Sequence, residues 1–573
     1  LARPFFAARE TRAAALSLGA AVVALILLET WVMLRYSAVQ RAYMTALQQR
    51  DIDGFYSGLW EVGSLIAFVI PVVGAHRLSE SLLRLRWRAA LTRRLAKAYL
   101  KGDGPCDAMF YRLHLAGEID NPDQRICQDA QDFVATLLDL VTSVAGTLSK
   151  VFGFAGVLYA MSPGICAGLM GYVVIGTAVS TGFFTPRIMR FQRSCRKQEA
   201  TLRYCLIRTR ENAESIAFFR GGGSEWVRFQ DLFGTLLETI QRRILLMTSF
   251  GMFRQTYFYA TFAVAPLTVG PAYLRGELEF GAISQAQMAF SVVLNGLSVI
   301  IGQTESLSAL SVQVSRLDAL ERAMCQEVTG DRVASELSVQ ESGPDVALEL
   351  LGLTVRTPPR SGCPQHTLVA DLSLCLARGQ SALVVGQSGV GKSSLLRAVA
   401  GLWQSGCGTV RRALGEEVFF MPQNPYMFLG TLEEQLLYPS VGQGGPPRAH
   451  SAAIVRALCA VGLGGLLERH RLQDAKDWSS ILSLGERQRI NFARILLRPS
   501  LRLALIDEGT SACDGGNEAL LYERLAEHVP SYVSVGHRAA LRKFHTHVLW
   551  LRLGAAEGRG SAGAGAGAAG EPG

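Results

Sequence analysis

Six apolar stretches of membrane-spanning length fill the first three hundred residues, and basic sequence collects on alternate sides of them. The stretches are about Ala13–Leu34, Phe55–Ala75, Phe133–Tyr159, Gly164–Phe184, Phe250–Tyr273 and Ala286–Ile301, the last slightly short. Each lies near the ~20 residues that ~30 Å of hydrocarbon requires of a helix. The third carries Asp139 and Lys150 and is therefore expected to protrude beyond the hydrocarbon. Arg3, Arg9 and Arg12 precede the first stretch, which puts the N-terminus in the cytosol. The long basic loops 76–132 and 185–249 then lie in the cytosol too, and 275–281, with Glu277 and Glu279, lies outside it. The first stretch is too long for a cleavable signal peptide.

The cytosolic loops have a helical pattern. Leu82, Leu83, Leu85, Trp87, Leu91, Leu95 and Leu100 recur among Arg84, Arg86, Arg88, Arg93 and Arg94, as in helices that continue out of the membrane. Beyond the sixth stretch the pattern changes. We assign 1–324 to a transmembrane domain, 325–345 to a polar linker with Gly330, Gly343 and Pro344, and 346–553 to a soluble domain. Residues 554–573, rich in Gly and Ala, cannot bury enough surface to order and are expected to be disordered.

Composition agrees with a membrane half joined to a soluble half. Hydrophobic residues make up 49% and charged residues 18% of the 573 positions. The net charge of +9 resides in loops between apolar stretches, so it reads as topology rather than nucleic-acid binding. The eleven cysteines form no CxxC pair and fit reduced, buried thiols.

The chemistry lies in the soluble half. Ser381–Val385 has strand length and feeds GQSGVGKSS, Gly386–Ser394, which feeds an apolar helix, Leu395–Leu402. Strand, glycine loop and helix are the context of a phosphate-binding loop. Gly386, Gly389 and Gly391 let the backbone wrap phosphate, and Ser388 and Ser394 complete the cradle. Lys392 reaches the β- and γ-phosphates of ATP, and Ser393 offers its hydroxyl to Mg²⁺. Leu503–Ile506 is a buried strand that stops in Asp507 and Glu508. Asp507 suits the Mg²⁺ shell, and Glu508 suits the polarisation of an attacking water.

The segment SLGERQR, Ser483–Arg489, has no task in a simple phosphate-loop ATPase. With the preceding Leu482 it resembles the signature of ABC ATPases, with Leu484 where glycine is common. The resemblance implies that Ser483 and Gly485, with Glu486 beside them, contact nucleotide held by a second subunit. It also implies that Gln423 (FMPQNP) senses Mg²⁺, that Ser511–Asp514 (SACD) is the D-loop, and that His537 (SVGHR) contacts the γ-phosphate. Many ABC cassettes stack adenine on an aromatic ahead of the phosphate loop. Leu348–Arg360 has none, which leaves Val355 or Thr357–Pro359 for that contact.

The membrane half resembles one subfamily. ALQQRDIDGF (Ala46–Phe55), IDNPDQRICQD (Ile119–Asp129) and ESIAFFRGGG (Glu214–Gly223) are similar to subfamily D ABC half-transporters and their bacterial BacA-like relatives, as is AGLWQSGCG (Ala400–Gly408). The implied fold is an all-α six-helix transmembrane domain followed by an α/β P-loop ATPase domain, arranged as in ABC exporter half-transporters. The implied function is ATP-driven transport of a hydrophobic or amphipathic organic substrate, of acyl-CoA, fatty-acid or cobalamin type, by a homodimer in the bilayer. The implied membrane is peroxisomal or lysosomal, with plasma and plastid membranes as alternatives. A membrane-bound ATPase that gates a partner is the competing reading. Glu29, Glu61, Arg254 and Glu305 lie in or near the stretches and are candidates for substrate contact. The turn Asn121–Arg125 is a candidate for docking on the soluble domain.

Overall fold

The computed structural model describes residues 3–100, 109–117, 119–329, 336–358, 365–403, 405–439, 451–553 and 562–566. The chain divides into two compact units, one of 1–96 with 121–322 and the other of 97–120 with 323–573.

The first unit is helical. Its long helices are α1 (Arg9–Gln49), α2 (Ile52–Leu100, of which the last residues belong to the second unit), α3 (Ala130–Met161), α4 (Pro163–Val179), α5 (Thr185–Glu211), α6 (Gly222–Leu274), α7 (Gly281–Gly302) and α8 (Thr304–Thr329). All six apolar stretches fall on these helices, the fourth being shared between α4 and a π-helical turn at Ser180–Phe184. Among the described residues, three helical segments are by length and composition apolar enough to cross a membrane: Thr11–Gln49, Ile52–Leu100 and Pro122–Met161. Leu27, Trp31, Trp60, Ile70, Val174, Ile175 and Leu267 are exposed on the helices, as a lipid-facing surface requires.

Acidic groups on these helices have partners within the unit. Arg35 meets Glu61 at 2.6 Å and His76 meets Glu29 at 2.8 Å, so two of the four candidate substrate contacts already have partners. Asp139, one of the two charges on the third stretch, pairs with Arg84. Arg254 is exposed, and the side chain of Glu305 lies outside the described residues. Arg41 bonds Glu279 at 3.1 Å and Gln48 bonds the Tyr273 hydroxyl at 2.9 Å, so the α1–α2 turn and the α6–α7 loop share one end. That agrees with the topology read from charge. The backbones close in there, because a Cβ on Gly281 would lie 1.9 Å from the Arg41 carbonyl oxygen.

In the Asn121–Arg125 turn, Asn121 adopts a left-handed φ of 41°. The guanidinium of Arg125 is buried and donates to the Arg316 carbonyl at 2.9 Å, and Arg316 lies 3.2 Å from Asp129. Part of the motif therefore serves as an internal clamp of the helical unit.

The second unit holds one ten-stranded sheet. Its strands are β1 (Glu336–Glu341), β2 (Val346–Arg356), β3 (Thr367–Ala377), β4 (Ser381–Gly386), β5 (Gly406–Arg412), β6 (Val418–Met421), β9 (Leu503–Asp507), β10 (Ser531–Val535), β11 (His547–Leu553) and β12 (Ala562–Ala566). The order is β1-β5-β2-β3-β12-β11-β4-β10-β9-β6. A separate ribbon pairs β7 (Leu429–Thr431) with β8 (Ala475–Asp477). Strands β11, β4, β10, β9 and β6 run parallel. The principal helices are α9 (Lys392–Ala400), α10 (Leu484–Leu496) and α11 (Gly515–His528).

The unbroken LALI run of β9 is explained by burial on both faces. Leu503 and Leu505 enter one core with Leu395, Leu396 and Val399 of α9. Ala504 and Ile506 enter the other, with Trp478, Ile490, Phe492 and Tyr522.

Three expected boundaries differ, the first being that residues 97–120, expected in the transmembrane domain, group with the second unit. The span 325–345, expected to be linker, holds the end of α8 and strand β1, whose Leu337 is buried beside β5. Period-two spacing of Leu337 and Val339 was enough to make a strand once β5 offered an edge. Five tail residues, Ala562–Ala566, pair antiparallel with β11 although the tail was expected to be disordered. Backbone pairing needs no large side chain. The remainder of the tail lies outside the described residues.

Buried Arg494 ties α10 to the segment around Tyr426 and Gln435. It donates to the carbonyls of Gln435 at 2.7 Å and Tyr426 at 3.0 Å, and to Asn491 at 2.7 Å. Burial pushes its pKa down to about 10, so it stays charged at neutral pH. Arg494→Met keeps volume but removes three charge-assisted bonds and strands two carbonyls. The expected loss is about 3 kcal/mol or more. It is read as a lowered thermal unfolding midpoint of the full chain in detergent, and an unchanged midpoint would refute the assignment.

Candidate functional site

The phosphate loop leaves β4 and enters α9 through Gly389 and Gly391, at φ of +82° and +102°. Only glycine adopts these values without strain, and they turn the loop's backbone N–H groups around one centre. Lys392 is buried, and its ammonium donates to the carbonyls of Gly386 at 2.9 Å and Gln387 at 2.8 Å. Burial pulls its pKa below the ordinary value, against the opposing pull of Glu508 and Asp507. The lysine thus reports both the low polarity of the site and its carboxylates. Ser388 is exposed on the loop, and Ser394 is half-buried in the first turn of α9.

Ser393 donates its hydroxyl to Asp507 Oδ1 at 3.0 Å. Burial raises the Asp507 pKa, and the Ser393 hydroxyl lowers it in part. A hydroxyl beside a desolvated carboxylate is a hard oxygen pair of the kind Mg²⁺ accepts, with nucleotide phosphates and water completing the shell. Gln423, also expected to sense the metal, donates its amide to Glu508 Oε2 at 2.9 Å.

Glu508 stands where β9 ends. Its φ of +49° is left-handed, a conformation that costs on the order of 1–3 kcal/mol for a side-chain-bearing residue. The parallel neighbour β10 holds it there, since the Glu508 N–H donates to the Val535 carbonyl at 3.2 Å. The strain turns the carboxylate toward Gln423 on one side and His537 on the other, with His537 Nε2 3.2 Å from Oε1. The three residues expected to be catalytic, Glu508, Gln423 and His537, are therefore brought together. Gly386, Gln387 and His537 also border a cavity of about 650 Å³ walled by Arg538, Arg542 and Trp550, a basic setting suited to an anion.

The signature segment is built differently. Leu482 is buried in the core, and exposed Ser483 caps α10 by accepting from the Glu486 N–H at 3.3 Å. Among the described residues, no hydrogen bond of Ser483 or Glu486 reaches the phosphate loop, Asp507, Glu508 or His537. Asp514 caps α11 through the Asn517 N–H at 2.7 Å.

Sequence reasoning passed over Gln488. It is fully buried, donates to the Ser511 hydroxyl at 3.0 Å and accepts from the Ala512 N–H at 3.0 Å, which joins the signature helix to the D-loop. Its place inside SLGERQR was the available signal. Arg538 Nη1 was also missed; it donates to the Cys513 carbonyl at 2.9 Å. One expectation fails: Val355 is fully buried in the core, so it cannot meet an adenine ring. Thr357 and Pro358 are half-buried, and Pro359 lies outside the described residues.

A P-loop ATPase carrying a signature helix, on one chain with a bundle of apolar helices, defines an ABC transporter. Comparison with known proteins agrees. The profile of ABC transporter transmembrane region 2 matches residues 1–274, and the ABC transporter profile matches 369–511. An uncharacterised ABC transporter ATP-binding protein of Synechocystis is 38% identical over 91% of this chain and 78% of its own length. ABC transporter D family member 2, chloroplastic, of Arabidopsis thaliana is 32% identical over 96% and 85%. The lysosomal cobalamin transporter of Homo sapiens is 30% identical over 92% and 90%. The chain belongs to the D family of ABC transporters, as a half-transporter that binds and hydrolyses ATP to drive transport across a membrane.

Proposed function

We propose that two copies of this chain form the working transporter, and that it moves an amphipathic organic substrate at the expense of ATP bound with Mg²⁺. The observation that carries the dimer is the division of the site. Lys392, Ser393, Asp507, Glu508, Gln423 and His537 converge, while exposed Ser483 has no bond to any of them. A signature facing the phosphate loop of a second copy unites the two sets. Both halves look complete in this sequence, which supports a homodimer.

In that site Lys392 and the loop amides hold the triphosphate. Ser393 and Asp507 would hold Mg²⁺, which neutralises phosphate charge when bound. Glu508 accepts a proton from the attacking water, and His537 and Gln423 fix the orientation of its carboxylate.

The names of relatives guide the substrate search. The human relative is a cobalamin transporter, and the resemblance to subfamily D adds acyl-CoA. The cyanobacterial and chloroplastic relatives, at 38% and 32% identity, support a plastid-type membrane over a lysosomal or peroxisomal one. A fluorescent fusion tests that location. The decisive experiment reconstitutes the chain in proteoliposomes and screens acyl-CoAs, cobalamin and peptides. One class should stimulate ATP hydrolysis and be taken up in the same vesicles, with activity from a dimer. Stimulation without uptake would favour the gating ATPase, and full activity from a monomer would overturn the dimer.

A further inference from the structure

Glu486 shares its carboxylate between two partners. Its Oε2 accepts from both the Ser483 N–H and the Ser483 hydroxyl, each at 3.0 Å. Its Oε1 accepts from Arg469 Nη2 at 2.9 Å. Arg469 ends the short helix Gly464–Arg469, which precedes the signature and carries none of the expected site residues. The arginine is exposed, whereas Glu486 is largely shielded.

We infer that Arg469 is a positioning residue for the signature serine, acting through Glu486. The inference rests on the reading that Ser483 meets nucleotide on a second copy. In this structure the Ser483 hydroxyl donates its hydrogen bond to Glu486. To donate to a phosphate oxygen the hydroxyl must turn away from that carboxylate. Its departure removes one of the bonds on Oε2. Arg469 on Oε1 and the Ser483 N–H on Oε2 keep the carboxylate in place, so the cap of α10 survives while the hydroxyl turns. Without Arg469, the loss of the hydroxyl leaves Glu486 with a single anchor, and the signature loop becomes mobile when it must be fixed.

The electrostatics agree. Burial alone would raise the Glu486 pKa. The Ser483 N–H, then Arg469 and the Ser483 hydroxyl, together hold it below the ordinary carboxylate value. Removing Arg469 therefore moves that pKa up, and with it the pH below which the carboxylate is protonated and ceases to accept.

The test uses full-length Arg469→Ala, Arg469→Lys and Ser483→Ala, reconstituted in the membrane. Arg469→Ala should lower kcat on the order of tenfold, short of the ~10² that a misplaced group can cost. KM for ATP should stay near wild type, and the acid limb of the kcat profile should move to higher pH. Arg469→Lys should restore most of kcat and return the limb. A merely structural role would lower the unfolding midpoint and leave the limb where it was, and that result overturns the inference. If Ser483→Ala is inactive while Arg469→Ala matches wild type, only this inference fails. If Ser483→Ala retains wild-type kcat, the reading of Ser483 as a nucleotide contact fails with it.

Discussion

Glu508→Gln is expected to lower ATP hydrolysis by roughly 10²-fold or more, the scale of losing a general base, while ATP stays bound. The amide matches the carboxylate in size and still accepts a hydrogen bond, but it cannot take a proton from water. The amide keeps one acceptor oxygen and puts a donor in place of the other, so of the contacts with Gln423 and His537 only one keeps its acceptor, while the groups that hold nucleotide are left in place. The left-handed backbone at this position is held by the Val535 carbonyl, which an amide side chain does not touch. Lys392 and Ser393 lie on α9, and Asp507, although adjacent in sequence, bonds Ser393 rather than Glu508, so all three keep their bonds to one another and to the loop. The two copies should then remain closed on unhydrolysed ATP, and transport should stall in one conformation. Phosphate release gives the rate, and electron microscopy with ATP and Mg²⁺ gives the conformation. Hydrolysis at the wild-type rate would remove Glu508 from the catalytic role and revive the gating ATPase.

Lys392→Ala should weaken ATP binding by on the order of 10²-fold or more. Charge-assisted hydrogen bonds contribute about 1.5–3 kcal/mol each, and 1.4 kcal/mol is tenfold in affinity. The ammonium also holds the Gly386 and Gln387 carbonyls, so its loss removes both the ligand's cation and the loop's internal tether. Ser483→Arg offers the contrast. It should leave nucleotide affinity near wild type and stop hydrolysis, because it blocks the site on the other copy. Equilibrium binding of labelled nucleotide beside phosphate release separates the two. Equal loss of binding in both variants would refute the division between a holding face and a closing face.

The sequence by itself determined the elements whose chemistry is local. Glycines at 389 and 391 dictate a turn that other residues resist, and four apolar residues before Asp507 dictate a strand buried on both faces. Six apolar stretches dictated the helices, because hydrocarbon admits few alternatives. Tertiary structure decided what depends on neighbours distant in sequence. Glu29 and Glu61 looked like charges awaiting a ligand until His76 and Arg35 arrived from α2 and α1, and Asp139 found Arg84 of α2. Val355 looked free to meet adenine until its strand turned it into the core. Residues 336–341 read as linker because their strand exists only beside β5. The strained backbone of Glu508, the Gln488 bridge and the Arg469 anchor were likewise invisible, since a hydrogen-bond partner is fixed by where chains meet and not by the type of either residue.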